Sequence, residues 1–104
     1  MLITNTEEIA GKSIDNCFGV VSGSTVRTKH VGRDIMAGLK NLVGGELVGY
    51  TELLSEARDE AMERMKLQAQ SLGANAVVNV RFSTSSVTAG ASEIYVYGTA
   101  VTVV

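Results

Sequence analysis

Cys17 and His30 are the two side chains of this 104-residue chain best suited to bind a soft metal ion. Each is the single residue of its type, so the chain contains no C-x-x-C or H-x-x-x-H pair. One chain therefore cannot build a four-ligand Cys/His zinc site. Several chains around a symmetry axis can, because each residue then appears once per subunit. The sequence predicts Cys17 and His30 as candidate metal ligands at a subunit interface, with Asp15 as a further candidate.

An alternative interpretation of both residues involves no ligand. A single cysteine on a strand commonly serves as a small apolar residue, and a single histidine in a polar segment as a solvated loop residue. These uses are the more frequent ones, and the residue pattern leaves both interpretations open.

Gly44 and Gly45 precede a long charged segment with the pattern of a helix, and glycines at a helix start can bind phosphate. A P-loop requires G-x-x-x-x-G-K-[ST], and the dinucleotide fingerprint requires G-x-G-x-x-G directly after a strand. Neither spacing occurs here, and the nearest charged residue is the acidic Glu46. The glycine pair therefore predicts a turn between two helices.

Candidate nucleophiles are numerous, but the groups that would activate them are missing. The serines in question are Ser22, Ser24, Ser83, Ser85 and Ser86. The chain has no G-x-S-x-G nucleophile elbow and a single histidine to act as a base. The carboxylates of Glu56 and Glu60 are spaced i, i+4 on a predicted helix, which is typical of a solvated face. We therefore predict a protein without enzymatic activity.

Basic residues cluster in one part of the chain. The cluster consists of Arg27, Lys29, His30, Arg33 and Lys40. Such a cluster can attract an anionic ligand, although a solvated loop or a subunit contact is the more frequent reason for one.

The overall composition excludes several classes of function. A net charge of −2 lacks the basic excess of a nucleic-acid-binding protein. No stretch approaches the roughly 18 consecutive apolar residues of a membrane-spanning helix, and no secretory leader is expected from the first residues. One cysteine excludes an internal disulfide, as is usual in a reducing compartment. We predict a cytoplasmic protein of one domain, residues 1–104, that binds neither nucleic acid nor membrane.

Alternating hydrophobicity predicts a long strand over residues 13–29. One of its faces consists of Ile14, Phe18, Val20 and Val26. Gly19 and Gly23 interrupt the strand, which indicates a bulge, a bend or the close approach of another backbone. Residues 3–6 are a further, short strand candidate near the terminus.

Two helices are predicted after this strand. Residues 31–45 favour a short helix that ends at Gly44. The longer helix has an apolar stripe made of Tyr50, Leu54, Ala57, Ala61, Met65, Ala69 and Leu72. Glu60 and Arg64 are spaced to form an i, i+4 ion pair, and Gly73 ends this helix.

The last third of the chain predicts an antiparallel hairpin over residues 75–87 and 92–104. In its first strand, Val78, Val80 and Phe82 share one face. The second strand is apolar on both faces, with Ile94 and Val96 on one and Tyr95, Tyr97, Val101 and Val103 on the other. A strand buried on both sides in so small a protein predicts that another subunit covers one face.

These elements predict an α+β fold, a two-layer β-α-β-β sandwich. A three-stranded, mainly antiparallel sheet packs on one long helix, and an extra short helix precedes the long one. A right-handed crossover makes the first two main strands parallel and lets the third lie between them.

Four segments together resemble the YbjQ-like family of small bacterial and archaeal proteins. They are GVVSGSTV, GRDIMAGLKNLVGGELVGY, EARDEAMERMKLQAQSLGANAVVNVRF and YVYGTAVTV, in this order between Ile14 and Val104. The most specific pieces are Arg33-Asp34, Val43-Gly44-Gly45 and Leu72-Gly73-Ala74. The resemblance implies a dodecin-like subunit, a homopentamer whose sheets join around the axis, and the family name "putative heavy-metal-binding domain".

The residues and the resemblance together predict a protein without enzymatic activity that assembles with further copies of itself into a homopentamer. It would bind a heavy-metal ion or a small ligand at a subunit interface. The alternatives are a structural or interaction module without any ligand and, less favoured, an unrecognised enzyme.

Overall fold

The structure is a computed structural model that describes residues 1–28, 48–88 and 91–104. Within these residues the chain forms strand β1 (Leu2–Ile3), strand β2 (Ile14–Thr28), helix α1 (Val48–Ser71), strand β3 (Ala76–Thr88) and strand β4 (Ala91–Val103). The short helix predicted over residues 31–45, with the glycine pair at its end, lies outside the described residues.

The four strands form one mixed sheet in the order β1-β3-β4-β2. Strand β4 lies between β2 and β3 and is antiparallel to both, so β2 and β3 run parallel to each other. This arrangement confirms the predicted α+β class and the place of the last strand. The predicted strand number is wrong, because β1 adds a fourth strand parallel to β3. The short strand candidate over residues 3–6 overlaps β1 at Ile3, and pairing with β3 places the strand at Leu2–Ile3.

Helix α1 ends as its sequence predicts. Gly73 adopts a φ of 93°, a conformation that glycine tolerates best. The Gly73 amide donates to the Gln70 carbonyl, and the Ala74 amide donates to the Ala69 carbonyl. This pair of bonds is a Schellman motif, which satisfies carbonyls that the helix end leaves free.

The apolar stripe of α1 packs on the sheet through small residues. Ala57, Ala61, Met65 and Ala69 are fully buried. Leu72 is 44% exposed, so its predicted place in the stripe is wrong, because the chain leaves the helix at this point. A stripe of alanines allows the helix axis to approach the sheet closely.

Gly23 of β2 is the point of closest approach between helix and sheet. A Cβ atom at this position would lie 2.6 Å from the Met65 backbone nitrogen and closer still to the Ala61 carbonyl oxygen. The prediction that a strand glycine marks a close backbone approach is confirmed here. Beside it, the buried Thr25 hydroxyl donates to the Ala57 carbonyl over 3.0 Å.

A bulge in β2 redirects its side chains. The register with β4 shifts between Cys17 and Gly19, where Gly19 has a φ of 98°. Phe18 is the extra residue and packs against the core under α1. The predicted common face of Phe18, Val20 and Val26 is therefore wrong, since both valines lie exposed on the other side of the sheet.

A second bulge lies in β3, where Asn79 and Val80 oppose Gly98 of β4. Asn79 has a φ of 55°. The Asn79 and Val80 amides donate to the Thr6 and Thr4 carbonyls of the N-terminal segment, over 2.9 and 3.0 Å. The bulge breaks the period-2 alternation, so Val78 and Val80 lie on opposite faces and their predicted common face is wrong.

Within the described ranges the buried apolar side chains form two clusters, one on each face of the sheet. The larger lies between the sheet and α1 and includes Val21, Ala57, Ala61, Met65, Ala69, Val77, Val80, Ile94, Val96 and Ala100. The smaller lies on the opposite face and consists of Ala76, Val78, Val101 and Val103, with Ile9 packed against it. The chain's own N-terminal segment thus covers the second apolar face of β4 at its carboxyl end. The prediction that another subunit covers one face of β4 stays a prediction, and it concerns the part of the face that the N-terminal segment leaves exposed.

Candidate functional site

Cys17 lies on β2 with its side chain exposed. It pairs in register with Val101 of β4, and directly opposed residues of an antiparallel ladder share a face. Val101 belongs to the cluster on the side of the sheet away from α1. The thiol therefore lies on the face opposite the helix.

Asp15 and His30, the other predicted ligands, do not join Cys17 in a site that the structure describes. Asp15 is exposed and sits in a register irregularity between Ile14 and Asn16. His30 lies outside the described residues. In the part of the chain that the structure covers, no group of three or more histidine, cysteine, aspartate or glutamate side chains comes together. One chain thus offers a single soft donor here, and a metal site requires donors from further copies.

The sheet surface away from α1 carries exposed apolar and aromatic side chains. We call this surface the open face; it consists of Val20, Ser22, Ser24, Val26, Tyr95, Tyr97 and Thr99, which oppose one another in the register of β2 and β4. Val20 is 72% exposed, Val26 50% and Tyr97 38%. The Tyr95 and Tyr97 rings stack with centroids 5.6 Å apart. Ser22 and Ser24 separate Val20 from Val26, and Glu93 lies opposite Val26, so the surface is apolar with polar residues interspersed. Exposed apolar side chains gathered on one face are typical of an interaction surface.

Glu60 of α1 forms an ion pair with each of two arginines. It binds Arg27 of β2 at 2.9 Å and Arg64 of α1 at 2.5 Å. The i, i+4 pair with Arg64 confirms the prediction, whereas the pair with Arg27 was not predicted, because it joins residues distant in sequence. Arg27 is the described member of the predicted basic cluster, and its charge is used in packing α1 against the sheet.

The pKa of Glu60 is lowered from its ordinary value of 4.5, mainly because Arg27 donates a hydrogen bond to the carboxylate. Partial removal of the carboxylate from water raises the pKa and so opposes this effect. The positive charge of Arg64 lowers the pKa further. A lowered pKa in the folded state means that the carboxylate stabilises the fold above pH 4.5. This contribution is lost as the pH falls through the lowered value.

Two side chains of α1 occupy the outer edge of β2. The Ser22 amide donates to Gln68 Oε1 over 2.8 Å, and the Arg64 guanidinium donates to the Ser24 carbonyl over 2.5 Å. We call this pair of bonds the edge clamp. Edge strands with free backbone groups tend to pair with other chains, and the clamp prevents this at the middle of β2. The one sequence feature that indicates the edge clamp is the i, i+4 spacing of Arg64 and Gln68 beside the alanine stripe.

The sequence of the chain matches a known protein family over its whole length. A family model, YbjQ_1, described as "Putative heavy-metal-binding", matches residues 1–104. The chain belongs to the YbjQ family. The resemblance that the sequence motifs indicated is therefore confirmed over the whole chain.

This YbjQ family chain is similar to UPF0145 proteins of several organisms. A UPF0145 protein of Hahella chejuensis is 71% identical over 101 residues, which cover 97% of each chain. The UPF0145 protein DET1617 of Dehalococcoides mccartyi is 54% identical over 103 residues, or 99% of each chain.

A solved structure has the same fold as this YbjQ family member. It is a crystal structure of a protein of unknown function, of the DUF74 family, from Pediococcus pentosaceus. The TM-score is 0.66 at 18% identity, covering 100% of this chain and 98% of the other. Separately, no helix within the described ranges is long and apolar enough to cross a membrane.

Proposed function

We propose that the protein is a non-enzymatic homo-oligomer whose subunits, each a single domain of residues 1–104, contact one another through the open face. One observation carries the proposal: Val20, Val26 and Tyr97 are exposed on a sheet whose other face forms the core. Covering these side chains removes apolar surface from water, which favours association by about 25 cal/mol per Å² buried.

The shape of the subunit supports this proposal. The radius of gyration is 16.8 Å, compared with about 13 Å for a compact domain of about 100 residues. An extended subunit leaves more surface in solvent than a compact one, and association reduces that surface. We propose five subunits, the number that the family resemblance implies.

Sedimentation equilibrium at micromolar concentration tests the assembly. We expect the parent protein to sediment as a pentamer and Val20→Asp to shift toward smaller species, with association weakened about 100-fold, because a buried unpaired charge costs several kcal/mol. Leu67→Asp is the matched control, since Leu67 is 58% exposed on α1 and away from the open face. A parent protein that is monomeric at this concentration contradicts the proposal.

The exposed thiol supports a second function, the binding of a heavy-metal ion between subunits. Cys17 lies on the same side of the sheet as the open face. Association through that face brings one Cys17 per subunit toward the contact, and thiolates are the ligands that soft metal ions prefer. We place the protein in the cytoplasm, where the thiol stays reduced. His30 is the second candidate ligand, and Asp15 the third.

Titration with copper(I), zinc and cadmium tests metal binding. We expect the parent protein to bind less than one ion per chain, because each ion is shared between subunits. Cys17→Ser should weaken binding at least about 100-fold, and His30→Ala should weaken it less, since the thiolate is the softer donor. Ser13→Ala, a nearby change that removes no predicted ligand, should bind as the parent does.

Two outcomes of that titration decide between the candidate functions. Equal binding by all variants removes Cys17 and His30 as ligands. Assembly without binding of any of the three ions supports a structural or interaction module instead.

A further inference from the structure

The N-terminal segment is held to the sheet by few side chains. We call residues 1–10 the strap. None of these residues is buried, and Ile3, Thr4 and Ile9 are half-buried. Ile3 packs against the larger apolar cluster and Ile9 against the smaller one. The strap is therefore packed more weakly than β2, α1, β3 or β4, each of which contains buried side chains.

The surface beneath the strap is, in contrast, withdrawn from water. The smaller apolar cluster consists of four side chains that are at most 6% exposed, Ala76, Val78, Val101 and Val103. Ile9 is the partly buried apolar side chain that packs against this cluster. A weakly held segment thus covers an apolar surface, and its displacement exposes that surface while most of the core remains packed under α1.

The bulge in β3 depends on the strap for its hydrogen bonds. Asn79 has a φ of 55°, in the left-handed region that residues other than glycine adopt less readily. The Asn79 and Val80 amides donate to the Thr6 and Thr4 carbonyls, and the Thr4 amide donates to the Val77 carbonyl. Opening of the strap frees all three amides to water. Two amides of β3 therefore report on the strap.

The strap has internal hydrogen bonds and a flexible end. The Thr6 amide donates to the Thr4 hydroxyl, and the Thr6 hydroxyl donates to the Glu8 carbonyl. Gly11 follows with a φ of 77° and no atom within 4 Å of the position that a Cβ would take. Beyond it, Ser13 and Val104 exchange two backbone hydrogen bonds, which hold the chain to β4. Gly11 therefore has the place of a hinge between a coherent segment and an anchored one.

We propose that the strap opens from the sheet as one unit, hinged at Gly11, while the rest of the subunit stays folded. Opening exposes the smaller apolar cluster. Val101 and Val103 lie on the same side of β4 as Tyr95 and Tyr97, because alternate residues of a strand share a face. The strap thus switches this side of the sheet between a shorter and a longer apolar surface. Opening takes place within one chain and does not depend on contact between copies.

Amide hydrogen exchange followed by NMR tests the opening. We expect the Thr4, Asn79 and Val80 amides to have similar protection factors, at least about tenfold below that of Val96, because local opening requires less free energy than global unfolding. Val96 is the reference, since it is fully buried in the central strand. Protection of the three amides equal to that of Val96 means that they open only by global unfolding, and it overturns the proposal.

A variant of the strap tests whether these amides open together. Ile9→Ala removes the side chain that packs on the smaller cluster, so it should lower the protection of all three amides about tenfold and that of Val96 less than about twofold. Ile14→Ala is the control, because Ile14 is 45% exposed and lies beyond the hinge. It should leave the three amides as they are in the parent. An effect of Ile9→Ala on Thr4 alone contradicts the opening of one unit.

Thiol labelling tests whether opening exposes the cluster. In a Cys17→Ser background, Val78→Cys places a thiol in the smaller cluster and Val96→Cys places one in the larger, at positions that are 2% and 0% exposed. With an aromatic disulfide reagent, Val78→Cys should react at least about tenfold faster than Val96→Cys, and adding Ile9→Ala should accelerate the first reaction only. Equal rates for the two thiols overturn the proposal.

Discussion

Replacing Gly23 with alanine is expected to destabilise the fold by about 3 kcal/mol, at the upper end of the usual cost of overpacking. The new Cβ atom would lie within 2.6 Å of the Met65 backbone nitrogen and would overlap the Ala61 carbonyl oxygen. Both are backbone atoms of α1, so no side-chain rotation relieves the overlap. The helix must move away from β2, which weakens the packing of Ala57, Ala61 and Met65 together.

Thermal unfolding at a fixed protein concentration measures this effect, since the midpoint of an oligomer depends on concentration. A loss of about 3 kcal/mol lowers the midpoint by roughly 12–24 °C for a domain of this size. Gly19→Ala is the control, because Gly19 has a positive φ but no neighbouring atom within 4 Å of the position that a Cβ would take. It should cost about 1–2 kcal/mol from backbone strain alone. If Gly23→Ala costs no more than Gly19→Ala, the close helix approach is contradicted.

Truncating Met65 to alanine is expected to cost about 2–5 kcal/mol. Met65 is fully buried and, among the described residues, is the largest side chain with less than 2% of its surface exposed. Its neighbours in the helix stripe are alanines, which are too short to fill the space that the change leaves. The cost combines the lost burial of the side chain with the cavity that remains.

Urea unfolding of Met65→Ala, Met65→Leu and Leu67→Ala separates these causes. Met65→Leu nearly conserves volume and should cost less than about 1.5 kcal/mol. Leu67→Ala removes a side chain that is 58% exposed on the same helix and should change stability by about 0.5 kcal/mol or less. A similar loss for Met65→Ala and Leu67→Ala would show that the centre of the core lies elsewhere.

The position of α1 determines which surfaces of the sheet remain available for assembly. The helix covers β2 and β4 on one face, and its polar side chains clamp the outer edge of β2. The N-terminal segment covers part of the other face through Ile9 and part of the β3 edge through Thr4 and Thr6. Among the described residues, the open face is the part of the sheet that we propose for contact between copies.

The sequence by itself determined the order of the long elements and the packing faces of α1 and β4. The period of the alanine and methionine stripe predicts α1, and Gly73 predicts its end, because both depend on local geometry. The alternation in residues 92–104 correctly separates Ile94 and Val96 from Tyr95 and Tyr97. The crossover rule makes β2 and β3 parallel and lets β4 lie between them, which is the order that the sheet has.

The candidate ligand Cys17 was also identified from sequence, because a single thiol is visible in composition alone. The face of the sheet on which the Cys17 side chain lies was not identified from the sequence. That side depends on the register of β2 with β4, which shifts at Phe18 and again at Asp15. A shift of one residue moves every following side chain to the other face, so a period-2 pattern read through a bulge gives the wrong face.

Tertiary structure alone decided the features that join distant parts of the chain. Strand β1 exists because the β3 backbone offers it partners, and the bulge at Asn79 persists because the carbonyls of Thr4 and Thr6 accept its freed amides. The Arg27–Glu60 pair and the edge clamp connect β2 to a helix more than 30 residues away. Local preferences cannot specify such contacts, because each depends on the separation and orientation that two packed elements reach after the chain has folded.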